Sequence, residues 1–168
     1  MKPKEMPTQQ EIKKQLHYDE ATGIFTWIVS KNSFMKIGDL AGGINTYGYW
    51  IVSIDNKHYM SHRLAWVYIN GSCPSHLQVD HINGDKSDNR INNLRLCNAI
   101  ENQQNIKTCR VITKSRLLGA HKHSRSNKWS AQIKVNKKYI YIGLFDTPEE
   151  AHQAYLNKKR ELHPFNTL

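Results

Sequence analysis

Cysteine is scarce in this chain. Cys73, Cys97 and Cys109 make an odd number, and no two of them form a CxxC pair. That excludes a four-cysteine zinc site and argues against a disulfide framework, so no structural zinc is expected. Long apolar runs are missing as well: none approaches the ~18 residues of a membrane span, and mean hydropathy is -0.67. The first residues, MKPKEMPTQQE, lack the apolar stretch of a secretory signal. The expectation is a cytoplasmic protein without a membrane partner. The third absence is acid. From Asn102 through Phe145 there is no Asp or Glu, while Lys or Arg stands at 107, 110, 114, 116, 122, 125, 128, 134, 137 and 138. The formal net charge is +10, so this block carries as much positive charge as the whole chain has in excess. Broken by Trp129, Tyr139 and Tyr141, it reads as a surface for a polyanionic backbone, with nucleic acid the leading partner.

The chain has 168 residues, of which 39% are hydrophobic, enough for one ordinary domain or two small ones. Residues 9–18 read as a short amphipathic helix on Ile12 and Leu16. Strands are expected at 23–29, 39–42 and 47–54, with Asp55-Asn56 turning into a hairpin partner at 57–60. Ser61 is placed to cap a helix that Gly71 ends. A strand over 77–82 enters the turn Asn83-Gly84-Asp85, and 91–96 returns. Asn98 with Glu101 suggests a capping box opening a helix over 99–108, on which Asn102 and Asn105 share a face. Residues 107–116 form a basic linker. Strands then follow at 119–122, 129–135 and 139–144, and a helix is capped by Thr147 with Pro148 and Glu150 at its first and third positions. An Ala151, Ala154, Tyr155, Lys158 stripe on that helix is suited to lie against the sheet.

The stretch from Val79 to Asn105, VDHINGDKSDNRINNLRLCNAIENQQN, carries the chemistry. A carboxylate and an imidazole are adjacent at Asp80-His81, and amides follow on later elements. That combination suits metal-assisted phosphodiester cleavage: a carboxylate for a divalent cation, an imidazole to take a proton from water, and amides to position both. Adjacent residues on a strand point to opposite faces, so Asp80 and His81 converge only where the strand bends or ends.

GYWIVSIDNKHYMSHRLAWVYINGSCP, VDHINGD, SDNRINNLR and ENQQN, in that order, resemble the HNH endonuclease family in its phage and intron homing branch. The resemblance implies a ββα-metal finger over about 77–108 in a nuclease domain spanning 1–106. It also implies one Mg²⁺ (or Mn²⁺) held by Asp80 and Asn102, with Asn105 as the fallback, His81 as the general base, and Asn93 bracing the loop or orienting His81, with Asn92 beside it. Arg63, in SHRLAW, then binds a phosphate or the leaving group, His62 does likewise or packs beneath the site, and Arg90 and Arg95 contact backbone or buttress the finger. The C-terminal text, with KWSAQIKV, YIGLF and TPEEAHQAY, resembles a DNA-binding domain of the Apetala/ethylene-response-factor (AP2/ERF) family over 117–168. This implies a three-stranded antiparallel sheet on a helix, with Lys122, Arg125, Trp129, Gln132, Lys134, Lys137 and Tyr141 toward duplex DNA. His121, His123 and Leu118 stand where that family carries arginines, so its target sequence does not carry over. The fold class expected is α+β: a β-rich N-terminal region with the finger, then the small sheet plus helix. The function expected is a metal-dependent, site-specific endonuclease of the homing type in a phage-infected or bacterial cell. It would act as a monomer that nicks, or as a dimer on DNA; the alternative is an inactive DNA-binding regulator.

Overall fold

A computed structural model describes residues 5–30, 35–107 and 115–168. Cys109 and most of the expected basic linker, including Arg110 and Lys114, lie outside the described residues. The fold is mixed, with small antiparallel sheets and helices. Two compact units emerge, Met1–Asn98 and Ala99–Leu168.

In the first unit, α1 (Gln9–Lys13) opens with a capping box in which the Thr8 side chain and Glu11 satisfy each other's backbone N–H groups. The helix is shorter than the periodicity suggests. Leu16–Asp19 leaves it as strand β1 and pairs antiparallel with β2 (Ile24–Trp27). The i, i+4 spacing of Ile12 and Leu16 fits a helix, but the buried alternation of Leu16 and Tyr18 against Phe25 and Trp27 decides for a strand. The strand expected at 39–42 reduces to one bridge between Thr26 and Leu40. The third sheet strand is instead β3 (Gly43–Ile44), beside β4 (Trp50–Ile54) and β5 (Lys57–Met60). Asp55 (φ 48°) and Asn56 (φ 60°) both adopt positive φ, the two-residue hairpin turn that their sequence suggests.

Helix α2 (Ser61–Asn70) follows β5 directly. Its N-cap is Met60, not Ser61, and no side chain caps it. Ser61 is already helical, and its Oγ is buried without a hydrogen-bond partner among the described residues. Gly71 ends the helix at φ 82°. Its buried face, including Leu64, Ala65 and Val67, joins Ile12, Phe25, Val52, Ile54, Val79 and Leu94 in one core. β6 (Gln78–His81) and β7 (Leu94–Cys97) form a separate two-stranded ribbon, with a 3₁₀ turn at Ile91–Asn93 leading into β7. The return strand is therefore shorter than the expected 91–96 at its start. α2 packs against β6 and the 3₁₀ turn, which brings the helix start and the ribbon end together.

In the second unit, α3 (Ala99–Gln104) is followed by a three-stranded antiparallel sheet, β8 (Ala120–Lys122), β9 (Trp129–Val135) and β10 (Lys138–Phe145), with β9 central. Asn136 and Lys137, at φ 48° and 67°, make the tight turn between β9 and β10. α4 (Pro148–Leu162) packs on this sheet, and Thr147 and Glu150 form its capping box as the sequence indicates. A small core of Ala120, Ala131 and Ala151, flanked by Trp129, Ile142 and Phe145, allows close approach. The stripe differs at one position: the buried lysine is Lys159, whereas Lys158 is paired with Glu161 at 2.8 Å on the surface. Gly119 fits here because a Cβ would lie 2.1 Å from the Tyr155 ring, at a backbone φ of +74°.

Candidate active site

The ribbon end and the start of α2 build the site. β6 has its even-numbered residues on one face and Val79 and His81 on the other, against the core. His81 is buried, and its ring meets that of His62 edge-on at 4.8 Å. His62 is also buried, not displayed on the helix surface. Tyr49 adjoins both imidazoles, with ring separations of 5.6 Å to His62 and 6.2 Å to His81.

Asn89 fixes the His81 ring. Its Nδ2 donates to the Ser87 carbonyl at 3.1 Å, so its Oδ1 is the acceptor facing His81 Nε2 at 3.3 Å. That assigns the proton to Nε2 and the basic lone pair to Nδ1. Asn89 is itself buried, and its carbonyl accepts a hydrogen bond from the Tyr18 hydroxyl at 2.7 Å. Burial pushes the His81 pKa below its ordinary value, opposed by the Asn89 bond and the Asp80 charge. Burial, reinforced by the charges of His81 and Arg63, pushes His62 down to about 3. Both imidazoles are therefore neutral at physiological pH, and a neutral imidazole is the form that can accept a proton. Asn89, Tyr49 and Tyr18 have no assigned role in the sequence reading. Their contacts cross between loops and strands, so no short-range period marks them; the one local sign is the density of Asn and Asp between 83 and 93.

Asp80 stands on the opposite face of β6 from His81, one residue before the strand ends. Its Oδ2 accepts two bonds from its cross-strand neighbour Arg95, from Nε at 3.1 Å and Nη2 at 3.0 Å. A half-buried carboxylate needs such compensation. Among the described residues, no three His, Cys, Asp or Glu side chains gather to hold a metal ion. The carboxylate of Asp80 is a hard oxygen donor, the type that Mg²⁺ or Mn²⁺ takes.

Asn93 ties the loop between the two strands. Its Oδ1 accepts from the Asn83 N–H at 3.0 Å, and its Nδ2 donates to Asn83 Oδ1 at 3.0 Å and to the Asp88 carbonyl at 2.8 Å. Asn92 is exposed, so Asn93 is the residue joined to the loop. Arg90 forms a bidentate pair with Asp88 at 2.7 and 2.6 Å, and this guanidinium holds the Asp88 carboxyl down to about 2. Arg63 points elsewhere: its Nη2 faces Cys73 Sγ at 3.9 Å, and its Nε is buried without a hydrogen-bond partner among the described residues. It lines a cavity of about 610 Å³ with Val67, Cys73 and Ser75.

Residues 59–104 match a family model described as HNH endonuclease. That match supports a nuclease, a phosphodiester hydrolase acting on DNA. It encloses His62, Asp80, His81, Asn89, Asn93 and Asn102. Comparisons with curated proteins and with solved structures give no match. No helix among the described residues is long and apolar enough to cross a membrane.

In the second unit, Asn102 is half-buried on α3. Asn105 is buried, with its Oδ1 accepting from the Thr167 hydroxyl at 2.8 Å. The sheet sorts the remaining expected contacts by face. Gln132 and Lys134 lie opposite Tyr141 and Tyr139 respectively, on the face away from the Ala131 and Ile133 core. Tyr139 and Tyr141 are 66% and 62% exposed, which makes this an open polar and aromatic surface. A bulge between Tyr141 and Gly143 then shifts the register of β10. Trp129 and Lys122 are paired on the other face, where Trp129 packs against the small core and Lys122 Nζ lies 5.0 Å from its ring centre. Arg125 and Lys137 are exposed in turns.

Proposed function

We propose that the protein is a metal-dependent, site-specific endonuclease that nicks duplex DNA, of the homing type. In this reading residues 1–106 carry the cut, and an AP2/ERF-like module over 117–168 supplies affinity and site choice. The observation that carries it is a buried His81 whose Nε2 faces Asn89 Oδ1 at 3.3 Å, one residue from a carboxylate, inside the stretch matched by the nuclease family. His81 Nδ1 takes the proton of the attacking water. Asp80 would hold one divalent cation, Mg²⁺ or Mn²⁺, which when bound would stabilise charge on the phosphate. Asn93 keeps the loop closed around His81. The open face with Gln132, Lys134 and Tyr141 meets DNA, together with Arg125 and Lys137 at its turns, while Lys122 and Trp129 brace its edge. Arg90 and Arg95, paired with Asp88 and Asp80, border the DNA backbone, whereas Arg63, turned toward Cys73, has no part in it. The acid-free block supports a polyanionic partner.

The test is plasmid relaxation with the full chain. Mg²⁺ should convert supercoiled plasmid to the nicked form, EDTA should abolish this, and His81→Ala or Asp80→Ala should remove cutting while DNA binding persists. A general base is worth roughly 10²–10⁴ in rate. Undiminished nicking by a folded His81→Ala protein would refute the assignment.

A further inference from the structure

The turn between β3 and β4 presents Tyr47 with its side chain 75% exposed, yet fixes its backbone at both ends. Asn45 Oδ1 accepts from the N–H groups of Tyr47 and Tyr49, each at 2.9 Å. Lys86 Nζ donates to the Tyr47 carbonyl at 3.0 Å. Backbone bonds from Asn45 N to Tyr49 O at 2.8 Å and from Gly48 N to Asn45 O at 3.0 Å close the turn. Gly48 at φ 82° makes that closure possible. The turn is also anchored to the surroundings of His81. Tyr49 lies beside both buried imidazoles, and Lys86, from the loop that follows His81, sits 4.7 Å from the centre of the Tyr49 ring. An exposed aromatic contributes little to this fold, since its ring is left to solvent, and the rigid turn that carries it reaches His81 through Tyr49. Its place and its cationic neighbour Lys86 suit an anionic polymer lying across His81.

We propose that Tyr47 is a wedge that packs into the duplex at the step being cut, stacking on a base beside the scissile phosphate and holding that step open. This rests on the reading that His81 cuts duplex DNA. Inserted side chains that unstack a base step are a known way of bending DNA against a protein surface, and base–aromatic stacking tolerates any sequence. The Lys86 clamp on the turn would keep the ring aligned with His81, so that opening the step and presenting the phosphate are one event.

The experiment uses the full chain and a duplex with 2-aminopurine beside the cut step, mapped first by run-off sequencing. The wild-type protein with Ca²⁺ in place of Mg²⁺ should raise the fluorescence on binding. Tyr47→Ala should bind within about threefold, lose the fluorescence rise and nick about 10- to 100-fold more slowly in Mg²⁺. Tyr47→Phe should restore both readouts. A duplex already opened at that step by a mismatch should restore cutting by Tyr47→Ala. Wild-type rates and fluorescence in Tyr47→Ala overturn the wedge, as does a loss that no opened substrate rescues. A wild-type protein that nicks without a fluorescence change overturns the wedge alone. A wild-type protein that does not nick at all removes the nuclease reading, and the wedge with it.

Discussion

Asn93 offers the sharpest separation between bracing the site and taking part in its chemistry. Its side chain makes three hydrogen bonds within the loop that runs from His81 to β7, all between 2.8 and 3.0 Å. A neutral hydrogen bond contributes about 1 kcal/mol net. The site is half-buried, so water partly replaces the lost partners, and Asn93→Ala should cost about 2 kcal/mol in all. For a chain of this size that lowers Tm by roughly 4–8 °C. The same loop carries Asn89, which sets the His81 ring, so nicking should slow by about 10- to 100-fold through misplacement of the base. Asn93→Asp is the informative partner. It keeps the acceptor for the Asn83 N–H but loses both donors, and it places a negative charge against Asn83 Oδ1 and the Asp88 carbonyl. Bracing therefore predicts that Asp is no better than Ala, in melting and in rate. A metal-ligating or proton-handling role predicts the reverse, because a carboxylate would keep or strengthen it. Thermal melts read beside single-turnover nicking decide the matter, with exposed Asn92→Ala as a silent control. Unchanged Tm in Asn93→Ala, or Asp cutting faster than Ala, would refute the bracing argument.

Three further outcomes are expected. Burial depresses His62 to about 3 and lowers His81, so below the ordinary histidine value near 6.5 the unfolded chain takes up protons that the folded chain refuses. Stability should be flat with respect to these groups above about pH 6.5 and fall as pH drops from there toward 4.5, a range above the window of Asp88, which is lost only toward about 2. Urea midpoints across that range should fall less steeply in His62→Gln, and equal slopes would remove His62 as the cause. Gly119→Ala forces a Cβ into the Tyr155 ring at a positive φ, and should destabilise the second unit by roughly 2 kcal/mol or more; a Tm within one degree of wild type would contradict the packing described. Thr147→Ala removes one half of the α4 capping box and should cost about 1 kcal/mol, with Thr147→Ser near neutral in the same melt.

The parts of the fold that the sequence makes legible are those decided within a few residues. The hairpin turns at Asp55-Asn56 and Asn136-Lys137 need positive φ, which Asn tolerates well, and both occur where expected. The Thr147/Glu150 box is likewise local. Errors arise where a distant partner decides. Leu16 completes a helical spacing with Ile12, but Trp27 across the hairpin claims it for a strand. Ser61 has the chemistry of a cap, but β5 runs straight into α2 and leaves its hydroxyl inside the helix. In the candidate site, Asp80 and His81 are visible as a pair because they are adjacent. Of the neighbours that set the state of His81, only His62 is brought near the site by the resemblance; Tyr49, from another segment, and Asn89, later in the same loop, show no spacing in sequence.

Those neighbours also explain how so small a domain can hold the His81 ring in place. His81 is at the end of a two-stranded ribbon, which has little stability of its own. What fixes it is polar closure on one side and packing on the other. Asn83, Asp85, Asp88, Asn89 and Asn93 satisfy the loop from within, each bonding a backbone or side-chain group of the same loop. The start of α2 supplies His62 as a flat, uncharged wall, held by the same core that buries Leu64 and Val67. A protonated His62 would repel a proton arriving at His81, which would weaken it as a base. Burial keeps His62 neutral, so the wall orients the His81 ring without opposing the proton transfer proposed for it.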